Sequence, residues 1–291
     1  MLLDKDKIEF HQVPDSVSKT RLSDYAVGIF NTITTRKGIK KAIKNGLVTI
    51  NGGQGFTGDY ITGGEIIDLY QKDDFQKPII EIPIEVLFED DYLAIVNKPP
   101  GILVSGNKKW TLQNALPLHL TPSSQKDALS RPQPIHRLDY PTSGCLLIGK
   151  TTNAVVVLNN LFKQQLIEKT YLAVAIGKMP AEGMIDTPID KKKSISIFNV
   201  LTTTNSPKYN CFNLVELKPK TGRRHQLRKH LSNIGNPILG DLLYGKDGFL
   251  LKGKGLYLHA ISLNFIHPFS KELIQVKANV PKKFKKLFDI S

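Results

Sequence analysis

The sequence predicts an α+β protein: a large, strand-dominated mixed unit with flanking helices, preceded by a small N-terminal α/β unit. Three observations predict it. Apolar residues recur at helical spacing in only a few segments, short runs rich in Val, Ile, Leu and aromatic residues bounded by turn residues are more numerous, and a polar stretch from Gln71 to Pro83 with two prolines reads as a linker. The division that follows is 1–75, a linker over 76–84, and 85–291. At 291 residues and 41% hydrophobic side chains, the chain can bury one sizeable core and a small satellite.

In the N-terminal unit, Leu22, Tyr25, Ala26 and Ile29 follow an i, i+3, i+4, i+7 pattern and predict a helix over Lys19–Ile29. A second helix is expected over Arg36–Lys44, with Ile39, Ala42 and Ile43 inward and Lys37, Lys40, Lys41 and Lys44 on the other face. Asn45-Gly46 ends it. Leu47–Ile50 and Glu65–Leu69 read as strands around a glycine-rich stretch, Asn51–Gly64. A lysine face of this kind suits phosphate, and it also suits plain solvation; the charge pattern fits both.

In the larger unit the expected strands are Glu85–Phe88, Leu93–Asn97, Gly144–Lys150, Thr170–Ile176, Asn213–Leu217 and Ile261–Ile266. One helix is expected over Thr152–Leu166, with Ala154, Val155, Leu158, Leu161, Phe162 and Leu166 on one face; another starts near His225 and ends by Gly235. No fixed-period repeat is visible. Lys282, Lys283, Lys285 and Lys286 read as a solvated helix face.

Forty Lys and Arg against 26 Asp and Glu give a formal charge of +14, which favours polyanions through counterion release. The longest apolar runs are too short to span a bilayer, and Met1–Phe10 lacks a signal-type apolar block, so a cytoplasmic protein is expected. Cys145 and Cys211 are too few for a disulfide framework and read as small buried hydrophobes. Neither the scattered histidines nor any loop suggests a metal or cofactor.

Ile135-His136-Arg137-Leu138-Asp139-Tyr140-Pro141-Thr142-Ser143-Gly144 enters a turn before an apolar strand, which holds Asp139 at a loop edge. Alone, such an Asp is an ordinary turn residue that caps local amides. Arg131, His136 and Arg137 place cationic groups near it, and Thr221-Gly222-Arg223-Arg224-His225-Gln226-Leu227-Arg228-Lys229-His230 adds a dense cationic run. That cluster must face an anion, whether as a site or as a nonspecific basic patch.

HRLDYPTSGCLLIGKT at 136–151 resembles the signature of RluA-type pseudouridine synthases, and NKPPGILV, KTYLAV, TGRRHQLRKH, GDLLYG and LHAISLNFIHP follow that family's pattern in order across residues 97–268. Residues 16–70 are similar to the small RNA-binding domain named after a ribosomal small-subunit protein. The resemblance implies a mixed, mostly antiparallel catalytic sheet with flanking helices, behind an N-terminal RNA-binding domain. It also implies isomerisation of uridine: the glycosidic bond breaks, the uracil rotates, and it rejoins the ribose through a ring carbon, with no redox step and no cofactor.

By the same resemblance Asp139 is the catalytic carboxylate, attacking the anomeric carbon, adding to the ring or assisting elimination. A cation nearby favours the charged form of a carboxylate and orients it. The resemblance gives that part to Arg228, and a phosphate contact to Arg223. Tyr171 is implied to stack under the flipped base and to serve as a base; its alternative is an ordinary core tyrosine. Arg137 is implied to fill the gap left by the base, with His136 and the α-helical Lys37, Lys40, Lys41 and Lys44 among the RNA-binding residues. Arg224, Pro141 and Ser105-Gly106-Asn107 depart from the family's usual residues, which bears on which RNA fits. The extra N-terminal domain points to large-subunit ribosomal RNA rather than transfer RNA, and a monomer is expected. The competing readings are an RNA-binding factor that has lost catalysis, against which the presence of Asp139, Tyr171 and Arg228 argues, and a glycosidase, which would want two paired carboxylates.

Overall fold

The structure, a computed structural model, describes residues 7–33, 35–70, 78–246, 251 and 253–288. It forms two compact units, Met1–Pro78 and Ile79–Ser291. Of the linker expected from Gln71, 71–77 lie outside the described residues, whereas Ile80 and Ile84 are buried in the core of the second unit.

In the first unit a four-stranded sheet runs in the order β1 (Lys7–Gln12), β6 (Ile66–Tyr70), β3 (Val48–Ile50), β4 (Gly53–Gln54), and a separate pair joins β2 (Thr20–Arg21) to β5 (Tyr60–Ile61). Helix α2 occupies Arg36–Lys44. Its N-cap Thr35 accepts from the Gly38 amide, and Ile39, Ala42 and Ile43 are buried in this unit's own core. The first helix is shorter than its periodicity predicts. α1 covers only Leu22–Tyr25, Thr20–Arg21 pair as strand, and the chain turns after Ala26 to Gly28, whose φ of 85° ends any helix. Leu22 and Ala26 are still fully buried, because one helical turn satisfies the i, i+4 contact.

The second unit is built on a ten-stranded mixed sheet. Its strands are β7 (Glu85–Glu89), β8 (Leu93–Lys98), β9 (Ala128–Pro134), β10 (Ser143–Thr151), β11 (Glu168–Ile176), β12 (Glu182–Ile185), β13 (Ser196–Ser206), β14 (Asn210–Pro219), β15 (Leu258–Ile266) and β16 (Leu273–Lys277). The main path is β12-β13-β14-β11-β15-β10-β8-β7, with β16 beside β15 and β9 beside β10. Neighbouring strands run antiparallel except β10 with β15, which touch over Ser143–His259 and Gly144–Ala260. The two halves of the sheet meet there. Gly144 has φ 113°, and a Cβ on it would sit 2.2 Å from the Ala260 carbonyl oxygen, so only glycine lets the strands cross.

The middle strands are buried on both faces. Ala94, Val96, Leu146 and Ile148 pack with Leu112 and Leu116, from α3 (Leu112–Ala115) and the 3₁₀ turn after it. On the other side, Leu93, Ile95, Cys145 and Leu147 meet Ala154 and Leu158 of α4 (Thr152–Lys163). α4 stops three residues short of its expected end: Gln165 turns left-handed at φ 61° and Leu166 is exposed. The other half of the sheet packs on α5 (Gln226–Asn233) and α6 (Lys282–Phe288). Lys283 on α6 departs from the expected solvated face. Its Nζ donates to the Leu256 carbonyl at 2.6 Å and lies 4.3 Å from the Tyr257 ring centre, and burial brings its pKa down to about 8.

Candidate active site

Asp139 sits in the 135–142 connection between β9 and β10, where the Thr142 amide donates to its carbonyl at 3.0 Å and closes a turn. Lys98, at the end of β8, holds that turn from beneath. It is fully buried, and its Nζ donates to the carbonyls of Pro99, Tyr140 and Thr142 at 2.9, 3.3 and 2.8 Å. Three acceptors match the three N–H bonds of an ammonium. Burial lowers the Lys98 pKa to about 7, against the pull of Asp139. Nothing in the sequence singled Lys98 out; its one signal is a lysine amid the prolines and glycine of a strand end.

The Asp139 carboxylate opens into a cleft of about 1130 Å³, lined among others by Arg137, Tyr171, Arg223, His225 and Arg228. Arg228, on α5, is buried and reaches it with Nη1 at 3.3 Å from Oδ2. The same guanidinium is clamped by Asp241, with Nε to Oδ2 at 2.7 Å and Nη2 to Oδ1 at 2.8 Å. Burial works against the Arg228 charge, but Asp241 and Asp139 outweigh it and raise its pKa; burial pushes the Asp241 carboxyl up, but Arg228 and the amides of Leu243 and Tyr244 outweigh it and lower its pKa. Asp241 was not singled out as a site residue; its signal was the segment GDLLYG, which follows the family's pattern without saying that its Asp meets Arg228.

Tyr171 lies on β11, opposite Leu217 and Ala260, where the two core clusters meet, and its ring lines the cleft. Burial, and then Asp139, push its hydroxyl well above the ordinary tyrosine range, so it stays protonated. Arg137 is exposed at the cleft edge. Arg223 is exposed too. Its Nε donates to the Lys193 carbonyl at 3.1 Å, and the structure does not bring it to Asp139.

Two of the cationic groups expected near Asp139 are otherwise engaged. His136 accepts the Leu147 amide on Nε2 at 3.1 Å, its ring lies 4.7 Å from that of Phe162, and burial lowers its pKa to about 3. It is a neutral internal acceptor, not a cation. Arg131 is buried, with Nη1 3.5 Å from Asn114 Oδ1. In the first unit, Lys37, Lys40, Lys41 and Lys44 are all exposed, and none is in an ion pair among the described residues.

A carboxylate held by a buried arginine at the floor of a cleft rimmed by further arginines suits proton-transfer or nucleophilic chemistry on an anionic substrate. The chain belongs to the RNA pseudouridylate synthase family, whose model matches residues 92–233, and it is accordingly an isomerase. It is 31% identical to the ribosomal large subunit pseudouridine synthase D of Xanthomonas campestris over 94% of this chain and 90% of that protein. The protein of that name from Zymomonas mobilis is 33% identical over 72% and 73% of the two chains. Among solved structures, human RNA pseudouridylate synthase domain containing 1 superposes with a TM-score of 0.58 at 25% identity, covering 72% of this chain and 89% of that one.

Proposed function

We propose that this pseudouridine synthase acts on specific uridines of large-subunit ribosomal RNA and that Asp139 is its catalytic carboxylate. The observation that carries the reading is the Asp139–Arg228–Asp241 chain, in which a carboxylate on a fixed turn faces open space while its counter-ion is clamped from behind. A pre-set carboxylate of this kind meets the sugar and ring without first having to reorganise. The relatives' names supply the ribosomal target. Tyr171 stacks against the flipped uracil. A hydroxyl held protonated is a weak base at neutral pH, which favours stacking over proton abstraction.

Arg137 fills the space the base vacates, and Arg223 contacts a phosphate. The exposed lysine face of α2 binds backbone phosphates as part of an RNA-binding domain over 1–75, joined through 76–84 to the catalytic domain over 85–291. No helix of the described residues is long and apolar enough to cross a membrane. The enzyme works as a monomer, without metal or cofactor, in the cytoplasm where ribosomes are made.

The test maps pseudouridine in total RNA from cells carrying the gene, lacking it, or complemented with Asp139→Asn. Large-subunit marks that vanish on deletion and do not return with the Asn variant are expected. Marks restored by Asp139→Asn would overturn the catalytic assignment, and marks lost only from transfer RNA would overturn the target.

A further inference from the structure

The Asp139 carboxylate has two oxygens, and each faces a different side chain. Oδ2 meets Arg228 Nη1 at 3.3 Å; Oδ1 meets His225 Nε2 at 3.7 Å. Both arms end on one turn. Arg228 is clamped by Asp241, while His225 Nδ1 lies 2.9 Å from the Tyr244 hydroxyl, with the two rings edge to face at 5.7 Å. Asp241 closes the turn by accepting from the Leu243 and Tyr244 amides at 3.0 and 3.1 Å, and the Arg228 guanidinium lies 5.1 Å from the centre of the Tyr244 ring.

The backbone at His225 is left-handed, with φ 56°, at the start of α5, and its side chain does not cap the helix. A non-glycine residue is strained there, and such strain persists only where surrounding contacts impose it. At His225 the imidazole meets two neighbours, the Tyr244 hydroxyl and the Asp139 carboxylate. The ring is disposed to be neutral: burial lowers its pKa, Arg228, Arg224 and Lys229 lower it further, and Asp139 opposes them. A neutral imidazole carries one N–H. If Tyr244 gives its hydroxyl hydrogen to Nδ1, the N–H falls on Nε2 and points at a carboxylate oxygen. The other tautomer would set a lone pair against that oxygen.

We propose that His225 and Tyr244 are positioning residues for the uridine reaction: the Tyr244 hydroxyl donates to His225 Nδ1, fixing the Nε2–H tautomer, whose hydrogen orients Asp139 Oδ1 while Arg228 orients Oδ2. This rests on the reading of Asp139 as the catalytic carboxylate. The 3.7 Å separation shortens to a hydrogen bond when RNA expels water from the cleft.

The experiment combines nitrogen-15 NMR of histidine-labelled full-length protein near neutral pH with steady-state kinetics on its RNA. His225→Gln assigns the His225 resonances. The expected result is an Nε2–H tautomer in the unaltered protein and a tautomer mixture in Tyr244→Phe. The kcat of Tyr244→Phe should fall about tenfold, the effect of removing one hydrogen bond, with KM within about twofold. His225→Gln, whose amide can still donate to Oδ1, should keep more of kcat than His225→Ala. An Nδ1–H or doubly protonated ring in the unaltered protein overturns the proposal, as does an unchanged kcat in Tyr244→Phe. Should Tyr244→Phe fail to fold, the tautomer of the intact protein and the Gln–Ala comparison decide. An active Asp139→Asn enzyme would instead sink the catalytic reading and leave the tautomer result standing.

Discussion

The side chains beneath the cleft bear on stability as well as chemistry, because several charges there have little contact with water. Asp241 has no exposed side-chain surface and is clamped to Arg228, so Asp241→Ala leaves a buried guanidinium facing only Asp139. Losing one partner of a buried pair costs about 3 kcal/mol. Urea unfolding should show that loss, and kcat should fall with it because Arg228 is then free to turn. Lys98→Met should also lower the unfolding midpoint, since it strips a donor from three carbonyls at once, two of them in the turn that carries Asp139. A Lys98→Met protein that unfolds at the unaltered urea concentration would contradict that account. At this scale the sequence showed Asp139, Arg228 and Tyr171 through their motifs. Lys98, Asp241 and Tyr244 also lie in family-like segments, NKPPGILV and GDLLYG, but the sequence assigned them no role, because their importance comes from what they touch.

Among the elements, α2 is where pattern and structure agree most closely, because its period, its Thr35 cap and its Asn-Gly stop all act within nine residues of helix. Its lysine face is the natural place to test RNA binding. Replacing Lys40 and Lys44 together by Glu should weaken RNA binding and flatten the plot of log affinity against log salt by about 1 to 2 units, roughly one for each phosphate that is no longer neutralised. An unchanged slope would leave the lysines as a solvated face. β13 shows the opposite case. Its eleven residues, SIFNVLTTTNS, contain no long apolar run; Ser196 and Phe198 are buried, and beyond them exposed and half-buried side chains alternate. The strand is the first arm of a hairpin with β14, paired from Ser206 with Asn210 to Ser196 with Pro219, and its Thr and Asn residues conceal it from a reading that looks for apolar runs.

For the whole molecule, pH and stability are linked through histidines kept neutral inside the second unit. Burial lowers His136 to about 3 and His259 to about 4. Unfolded histidine titrates near 6.5, so below that pH the unfolded chain binds more protons, and stability falls as pH drops from about 6.5 toward those values. By pH 5 each group should have removed on the order of 2 kcal/mol. Urea unfolding at pH 7 and pH 5 measures this, and His136→Gln, which keeps a neutral acceptor for the Leu147 amide, should make the difference smaller. Equal sensitivity in that variant would remove His136 from the explanation.

The amino-acid sequence was enough for the α+β class, the family signature around Asp139, the basic charge, and most of the apolar strands and α2, because these follow from side chains within a few residues of one another. It misread the length of α1, the end of α4, the charge of His136 and the solvation of Lys283, each of which depends on the packed surroundings. Only in the folded chain is it settled that β10 and β15 cross at Gly144, that Arg228 rather than Arg223 faces Asp139, and that Asp241 and Tyr244 stand behind the site. The physical reason is the same throughout: hydrogen-bond partners and desolvation are properties of the packed chain, and a motif records which groups are present, not which of them the fold brings within hydrogen-bonding distance.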